Sequence, residues 1–260
     1  MTPLTVLVVG ATGSIGAHVV TEALAAGHRV RALVRSAAKA GTLPAGAEAV
    51  IGDVTRPSTL VAAVEGIDAV VLTLGSDGQG ATGARTIDYE GVRNVLAALD
   101  GRPVRVALMT AIGVTNREGS YNRSTQAHDW KRRSERLVRA SGCEYTIVRP
   151  GWFDDNDAGQ DRLVFLQGDR RQAGTPADGV VARSGIARVL VSALTSDAAR
   201  HKTLELVSED GPAQADLDPA FAALAADPSG ALDAVSDAPN MPLTEEPAEV
   251  RADLAAISVR

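Results

Sequence analysis

Three glycines are the first residues in this sequence whose spacing implies chemistry. Gly10-Ala11-Thr12-Gly13-Ser14-Ile15-Gly16 follows the continuous apolar run Leu4–Val9 and opens the helical stretch Ser14–Ala26. Glycines so placed permit a tight turn, close backbone approach to a pyrophosphate, and close packing of the helix on the strand. The helix N-terminus, with Thr12, Ser14 and Ile15 between the glycines, then offers amides and a favourable dipole to phosphate. Glycine is also the default residue of any turn. Here a buried strand comes before and a helix after, which is the context that dinucleotide binding requires.

A second group bears on which dinucleotide is bound. An NAD-preferring site places Asp or Glu about 20 residues beyond the glycines, where it accepts from the ribose 2′-hydroxyl. The second strand here, Arg29-Val30-Arg31-Ala32-Leu33-Val34-Arg35, contains no acid and ends on Arg35. A guanidinium at that point can pair bidentately with a 2′-phosphate, with Ser36 and Lys39 as secondary contacts. The opposing reading makes Arg35 a solvated loop charge. An acid missing and a base present at one specified place favour NADP(H). Gly52-Asp53-Val54 follows the third strand, and Asp53 there suits a cap for the turn that starts near Pro57. Leu74-Gly75 ends the fourth strand, where a glycine lets cofactor pass. The 75–83 loop holds Gly75, Gly78, Gly80 and Gly83 and reads as mobile near the nicotinamide side.

These residues need a frame, and the hydropathy pattern supplies one. Apolar runs at Leu4–Val9, Val30–Val34, Ala47–Ile51, Asp68–Leu74, Val104–Met109 and Glu144–Val148 read as strands. Helical stretches at Ser14–Ala26, Pro57–Val64, Thr86–Leu99 and Thr125–Ala140 alternate with them, and Gly27 stops the first as a natural C′ residue. Such alternation predicts right-handed βαβ units: an α/β, Rossmann-type, doubly wound and mostly parallel sheet. After Pro150 the rhythm loosens. Leu163–Leu166 and Thr203–Val207 are strand-like and Ser184–Leu194 helical, which predicts a small substrate-side lobe from about residue 152. Residues 1–211 are therefore expected to form one NAD(P)-binding domain.

Residues 212–260 differ in composition. Nine acidic residues and two arginines give that stretch −7, so with −6 for the whole chain the remainder carries +1. Asp216–Ala226 and Pro247–Ile257 are helix candidates within it. The favoured expectation is a solvated acidic extension; the alternative is a flap over the site or an oligomer contact.

The chain is 45% hydrophobic, 22% charged and only 3% aromatic, with a mean hydropathy of +0.02, so small aliphatics must build its core. An acidic balance, with a pI of about 5.3, gives no support to nucleic-acid binding. No apolar run approaches the length of a membrane span, and no charged leader precedes Leu4. The one cysteine, Cys143, precludes an internal disulfide and suits a reducing compartment, so a cytoplasmic protein is expected, as monomer or homodimer. Asp154, Asp155 and Asp157 lack an accompanying histidine and read as an Asp-rich turn, with no metal site expected.

Further segments carry a resemblance. The G-x-x-G-x-x-G spacing, Asp88-Tyr89-Glu90-Gly91-Val92, Ser141-Gly142, Tyr145-Thr146-Ile147-Val148-Arg149-Pro150-Gly151 and Ser184–Leu194 resemble the atypical, NmrA-like branch of the short-chain dehydrogenase/reductases. The likeness runs from about Leu4 to Val207, with none in the acidic extension. It implies that Asp53 contacts the adenine amino group, that Val54 packs on the ring, and that Pro150 and Gly151 border the cofactor. It also implies a catalytic Tyr–Lys pair. The lysine position is Lys131, but four residues earlier stands Ala127.

Without the tyrosine, Thr110 at the end of the fifth strand is the hydroxyl candidate, its neighbour being Ala111. Tyr121 and His128 are the nearby proton sources, though neither has the family's spacing. Lys131 has two readings: a contact to the nicotinamide ribose, or an exposed partner of Glu135 at i,i+4. Trp152 and Phe153, two of eight aromatics, follow the sixth strand and either stack a flat substrate or anchor the loop. Hydride transfer to flavins or quinones needs no protein acid, because the cofactor carries the hard chemistry. The leading expectation is an NADPH-dependent reductase of a small planar carbonyl, quinone or flavin-like molecule. A non-catalytic NADP-binding redox sensor and an epimerase or isomerase are the alternatives.

Overall fold

A computed structural model describes residues 2–76 and 78–258. Ten strands form one sheet: β1 (Thr5–Val9), β2 (Arg29–Val34), β3 (Ala47–Ile51), β4 (Ala69–Leu72), β5 (Arg105–Met109), β6 (Glu144–Pro150), β7 (Trp152–Phe153), β8 (Arg162–Leu166), β9 (Val180–Val181) and β10 (Lys202–Glu209). The order is β3-β2-β1-β4-β5-β6-β10-β9-β7, with β8 on β10. Pairing is parallel from β3 through β6 to β10, and β8 and β9 pair with β10 antiparallel. The expected doubly wound α/β architecture is therefore present.

Among the described residues the α-helices are α1 (Gly16–Ala25), α2 (Ala37–Ala40), α3 (Gly80–Gly83), α4 (Glu90–Leu99), α5 (Ser120–Thr125), α6 (Ala127–Ala140), α7 (Arg183–Ser192), α8 (Asp218–Ala222) and α9 (Ala248–Ser258). One apolar core lies on each sheet face. Leu7, Val9, Leu72, Leu108 and Ile147 point toward α4 and α6, while Val6, Val8, Val71 and Ala107 point toward α1 and α7. This is period-2 alternation along parallel strands that are buried on both sides.

Helix boundaries depart from the sequence reading in several places, and the expected helix Pro57–Val64 is reduced to a 3₁₀ turn at Pro57–Thr59. The expected helix from Thr86 starts at Gly80, and its Ala84–Tyr89 segment is a π-helix. The expected single helix Thr125–Ala140 is broken at Gln126, whose left-handed φ of 54° separates α5 from α6. Within the 75–83 loop, residues 80–83 are helical, and Asp77 lies outside the described residues.

The acidic extension is not a solvated appendage. Its carboxylates dock on α6, whose arginines are buried. Glu246 accepts from Arg133 Nε (2.7 Å) and Arg136 Nη1 (2.8 Å). Asp233 accepts from Arg132 Nε (3.1 Å) and Arg136 Nη2 (2.7 Å). Asp227 takes Arg139 Nε at 3.2 Å, and Asp253 pairs with Arg93 and accepts from the Tyr89 hydroxyl at 2.9 Å. Burying arginines of one sign along a helix face is prohibitive unless each is paired. The extension supplies the pairs, and α9 adds Val250, Leu254 and Ile257 to the core.

Candidate functional site

Parallel pairing brings the carboxyl ends of β3, β2, β1, β4, β5 and β6 to one edge of the sheet, where doubly wound folds bind ligands. Nearly all of the sequence-predicted site residues lie there. At the end of β1, Gly10 has φ +90°, and a Cβ on it would stand 2.8 Å from the Thr73 carbonyl oxygen. The Gly13 amide donates back to Gly10 O at 2.8 Å. At Gly16 a Cβ would meet the same oxygen at 2.0 Å. The loop is thus wound too tightly for any side chain at its third glycine. Thr12, Gly13 and Ser14 are exposed, while Ile15 is buried beneath them in the core with Val19. Among the described residues, the Thr12, Ser14, Ile15 and Gly16 amides have no hydrogen-bond partner. Four free amides at the start of α1 suit a pyrophosphate.

At the ends of β2 and β3, Arg35 is exposed, and it has no ion pair among the described residues. The Ser36 hydroxyl caps α2, accepting the Lys39 amide at 3.4 Å. Asp53 closes its own turn, accepting from the Thr55 amide and hydroxyl at 2.9 and 2.8 Å. Burial works to raise the Asp53 carboxyl. The Thr55 hydrogen bonds and the positive charges of Arg56 and Arg35 prevail and hold it below the usual carboxylate range. Arg56 also has no ion pair among the described residues, and was not singled out from the sequence. Only the chain path around Asp53 brings it to this corner. Val54 is buried against Gly91 and Leu74, and its carbonyl accepts from Asn94 at 2.7 Å. Gly75 is exposed at the end of β4.

On the nicotinamide side expected from the sequence, α6 faces the ends of β4 and β5. Lys131 is not the exposed partner of Glu135. Its ammonium donates to Asp88 Oδ1 at 3.1 Å, and Ser76 donates to Asp88 Oδ2 at 2.7 Å. Asp88 sits in the π-helical segment, a local widening that often marks functional positions. Thr110 is buried and donates its hydroxyl proton to Glu135 Oε1 at 2.7 Å, which leaves only its lone pairs for another partner. Ala127 is buried beside Trp130 and Tyr89. Ser76 was not singled out from the sequence, while Asp88 entered it only within a family-like segment and Glu135 only as a candidate partner of Lys131. A polar residue inside an otherwise apolar helical face was the available signal, most visible at Asp88.

Pro150 and Gly151 carry the chain from β6 into β7. The Pro150 carbonyl accepts the Ile112 amide at 3.0 Å, and a Cβ on Gly151 would be 2.3 Å from Gly179 O. Trp152 remains 41% exposed. Phe153 packs on the core and lies under the Arg183 guanidinium, 5.3 Å from the ring centroid. Arg183 also pairs with Asp154. Trp152 is thus free to meet a ligand, while Phe153 anchors the loop.

Behind this edge runs a buried ionic network. Arg149 on β6 donates to Glu135 from Nε and Nη2 (2.9 and 2.7 Å) and to Asp237 from Nη1 and Nη2 (both 2.7 Å). Burial works against these ionised carboxyls, but Arg149 outweighs it and lowers both Glu135 and Asp237. Glu205 on β10 lies 3.4 Å from Arg149 and accepts the Asp169 amide at 3.1 Å. Burial dominates there and, with the Asp169 and Asp237 charges, raises its carboxyl to about 7 against the pull of Arg149.

A raised folded-state value means that ionising Glu205 costs stability once the unfolded chain would ionise freely. The cost develops between pH 4.5 and about 7 and stays constant above. We expect the Glu205 contribution to stability to fall across that window by on the order of 3 kcal/mol. Glu205→Gln should flatten the slope in melting curves recorded from pH 4.5 to 8, and an unchanged slope would contradict this account. Glu135 and Asp237, being lowered, act in the opposite sense and only at the foot of that window, where the unfolded carboxyls still hold protons.

With this geometry in place, comparison with known proteins is decisive at the level of family. The model of the NAD(P)H-binding family matches residues 10–197. The chain belongs to that family. The matched stretch runs from the first glycine to the turn after α7 and stops before the acidic extension. Among relatives, the chain is 28% identical over 213 residues to the uncharacterized sugar epimerase YhfK of Bacillus subtilis, covering 80% of this chain and 95% of that one. It is 26% identical over 246 residues to the sanguinarine reductase of Eschscholzia californica, covering 79% and 89%. Among solved structures, the oxidoreductase ylbE of Lactococcus lactis superposes with a TM-score of 0.65 at 17% identity, covering 85% and 96%; that likeness concerns the fold. No helix among the described residues is long and apolar enough to cross a membrane.

Proposed function

We propose that this NAD(P)H-binding protein is an NADPH-dependent reductase of the atypical, NmrA-like short-chain type, acting on a small planar carbonyl, quinone or flavin-like acceptor. The observation that carries the reading is the pair of unpaired arginines, Arg35 and Arg56, flanking Asp53 beyond a second strand without an acid. Two guanidiniums at the adenosine end favour a 2′-phosphate over a bare ribose, and NADPH is the cell's reducing dinucleotide. The bound nucleotide supplies the hydride. The free amides of the glycine loop hold its phosphates, Lys131, fixed by Asp88, binds ribose hydroxyls, and exposed Trp152 offers an aromatic face to the acceptor. The name of the Eschscholzia relative, a sanguinarine reductase, supports the reductase reading. A lone, buried Cys143 suits a reducing, cytoplasmic setting, and the partner we infer is a small molecule rather than nucleic acid or membrane, with the protein a monomer or homodimer.

Arg35→Ala should weaken NADPH binding by roughly 1–3 kcal/mol, the scale of a charge-assisted hydrogen bond, and leave NADH binding nearly unchanged. Fluorescence titration with both nucleotides checks this; equal losses would refute the NADP assignment. Ala127, together with the committed Thr110 hydroxyl, favours a second reading, an NADP-binding redox sensor without turnover. Tight NADPH binding with no oxidation by an aldehyde, quinone and flavin panel would select it. The YhfK name keeps an epimerase reading in play, and a bound nucleotide that is reduced and reoxidised within each turnover would identify it.

A further inference from the structure

The missing tyrosine leaves a question that the first turn of α6 answers. His128 stands three residues before Lys131 and seven before Glu135, so the three share one helical stripe. Lys131 reaches Asp88 and Glu135 receives Thr110, which directs that stripe toward the ends of β4 and β5. Ala127, by contrast, is packed into the apolar core.

Two features distinguish the imidazole. Its Nδ1 is buried and has no hydrogen-bond partner among the described residues, an exception in folded proteins that calls for an explanation. Its ring is covered by Tyr121, centroids 5.1 Å apart, and that tyrosine is itself 57% exposed. The loop after β5 also approaches the ring. Gly113, at φ +82°, would place a Cβ 3.5 Å from the imidazole Cε1, which is ordinary contact.

We propose that His128 is the proton-handling residue of this site, its Nδ1 serving the oxygen of a substrate carbonyl in place of the absent tyrosine; this rests on the reductase reading above. In the reduction, hydride from NADPH adds to the carbonyl carbon and the π pair moves to oxygen. That oxygen takes the Nδ1 proton of the imidazolium, leaving alcohol, NADP+ and a neutral imidazole that regains its proton from solvent admitted when the product leaves. The groups facing His128 set how readily it holds that proton. Burial is the largest influence and lowers it, and Lys131 on the same helix lowers it further. Asp169 from the segment after β8, the Asn116 main chain and Asp129 work the other way, and the net value lies below the ordinary 6.5. The imidazolium is then the minor form at neutral pH, so carbonyl reduction should accelerate as pH falls toward that value.

The test uses the full chain with NADPH, 4-nitrobenzaldehyde and menadione, and the variants His128→Asn and His128→Gln. For wild type, kcat/KM with the aldehyde should rise on acidification. Both variants should lose that limb and about a hundredfold in rate at pH 6, with melting temperature and NADPH affinity kept. Independently of turnover, the His128 Cε1 proton should titrate by NMR below 6.5, with and without NADP+. A variant with the wild-type rate and profile, or an imidazole that does not titrate over the pH range in which the rate rises, would overturn the proposal while leaving the reductase reading intact. If wild type oxidises NADPH with neither acceptor, the reductase reading fails and takes the proposal with it.

Discussion

Arg149→Met should cost the domain about 3–5 kcal/mol at pH 7.5, the scale for removing one partner of a fully buried ion pair. The arginine is completely buried and is the shared donor to Glu135 and Asp237. Without it, two carboxylates are left in the interior with Glu205 close by. Arg139 stays near Glu135 at 3.4 Å, but it also serves Asp227 and cannot neutralise the group alone. In wild type Arg149 lowers both carboxyls; in the variant only the more weakly acting Arg139 and Arg132 oppose burial, and both carboxyls rise. The deficit should therefore be largest above neutrality and shrink as pH falls and the orphaned carboxyls take up protons. Urea unfolding at pH 7.5 and 5.0 measures both quantities. A loss below about 1 kcal/mol, or one equal at the two pH values, would show that the network is solvated and not the buried core of charges described above.

Gly16→Ala should abolish nucleotide binding more thoroughly than any change to a charged contact. Its Cβ would stand 2.0 Å from Gly10 O and 2.6 Å from Gly10 C. Both are main-chain atoms, so no rotamer relieves the clash and the turn itself must open. We expect NADPH affinity to fall about a hundredfold or more, which corresponds to about 2.7 kcal/mol, and stability to drop by roughly 1–3 kcal/mol from overpacking. Gly13→Ala is the informative contrast. Its Cβ would approach Gly10 O at 3.1 Å, from an exposed position with room to adjust, and should cost less on both counts. Isothermal titration with NADPH together with thermal melts would compare them. If Gly16→Ala bound within threefold of wild type, the loop would not be the phosphate cradle.

The parts of this molecule that the sequence made legible are those whose physics is local. The run Leu4–Val9 had to be a strand buried on both faces, and glycines at 10, 13 and 16 between it and an amphipathic helix left little choice of turn. The same holds for the strands ending at Met109 and Pro150. β7 and β9 are two residues each, too short for any periodicity to show. The π-helical segment follows from i,i+5 hydrogen bonds that no residue pattern announces, so the inward turn of Asp88 was hidden. The feature least legible in the sequence lies on α6. Arg132, Arg133, Arg136 and Arg139 look like a solvated face by every local rule, and only carboxylates some hundred residues later make their burial tolerable. The acidic imbalance of the extension was visible in composition. Its destination was not, because complementary charge says nothing about where two segments meet.

That arrangement has a consequence for how the protein is made. The ion pairs that neutralise α6 span 88 to 113 residues of sequence. At a synthesis rate of roughly 5–20 residues per second, α6 would wait roughly 5–20 s on the ribosome before Glu246 is added. During that interval the glycine loop, β1 to β6 and their local crossovers are complete, yet the outer helix layer holds four guanidiniums whose distant carboxylates have not been made, and it stays hydrated. The final packing of one sheet face is thus deferred to a late step, governed by long-range closure and not by helix formation.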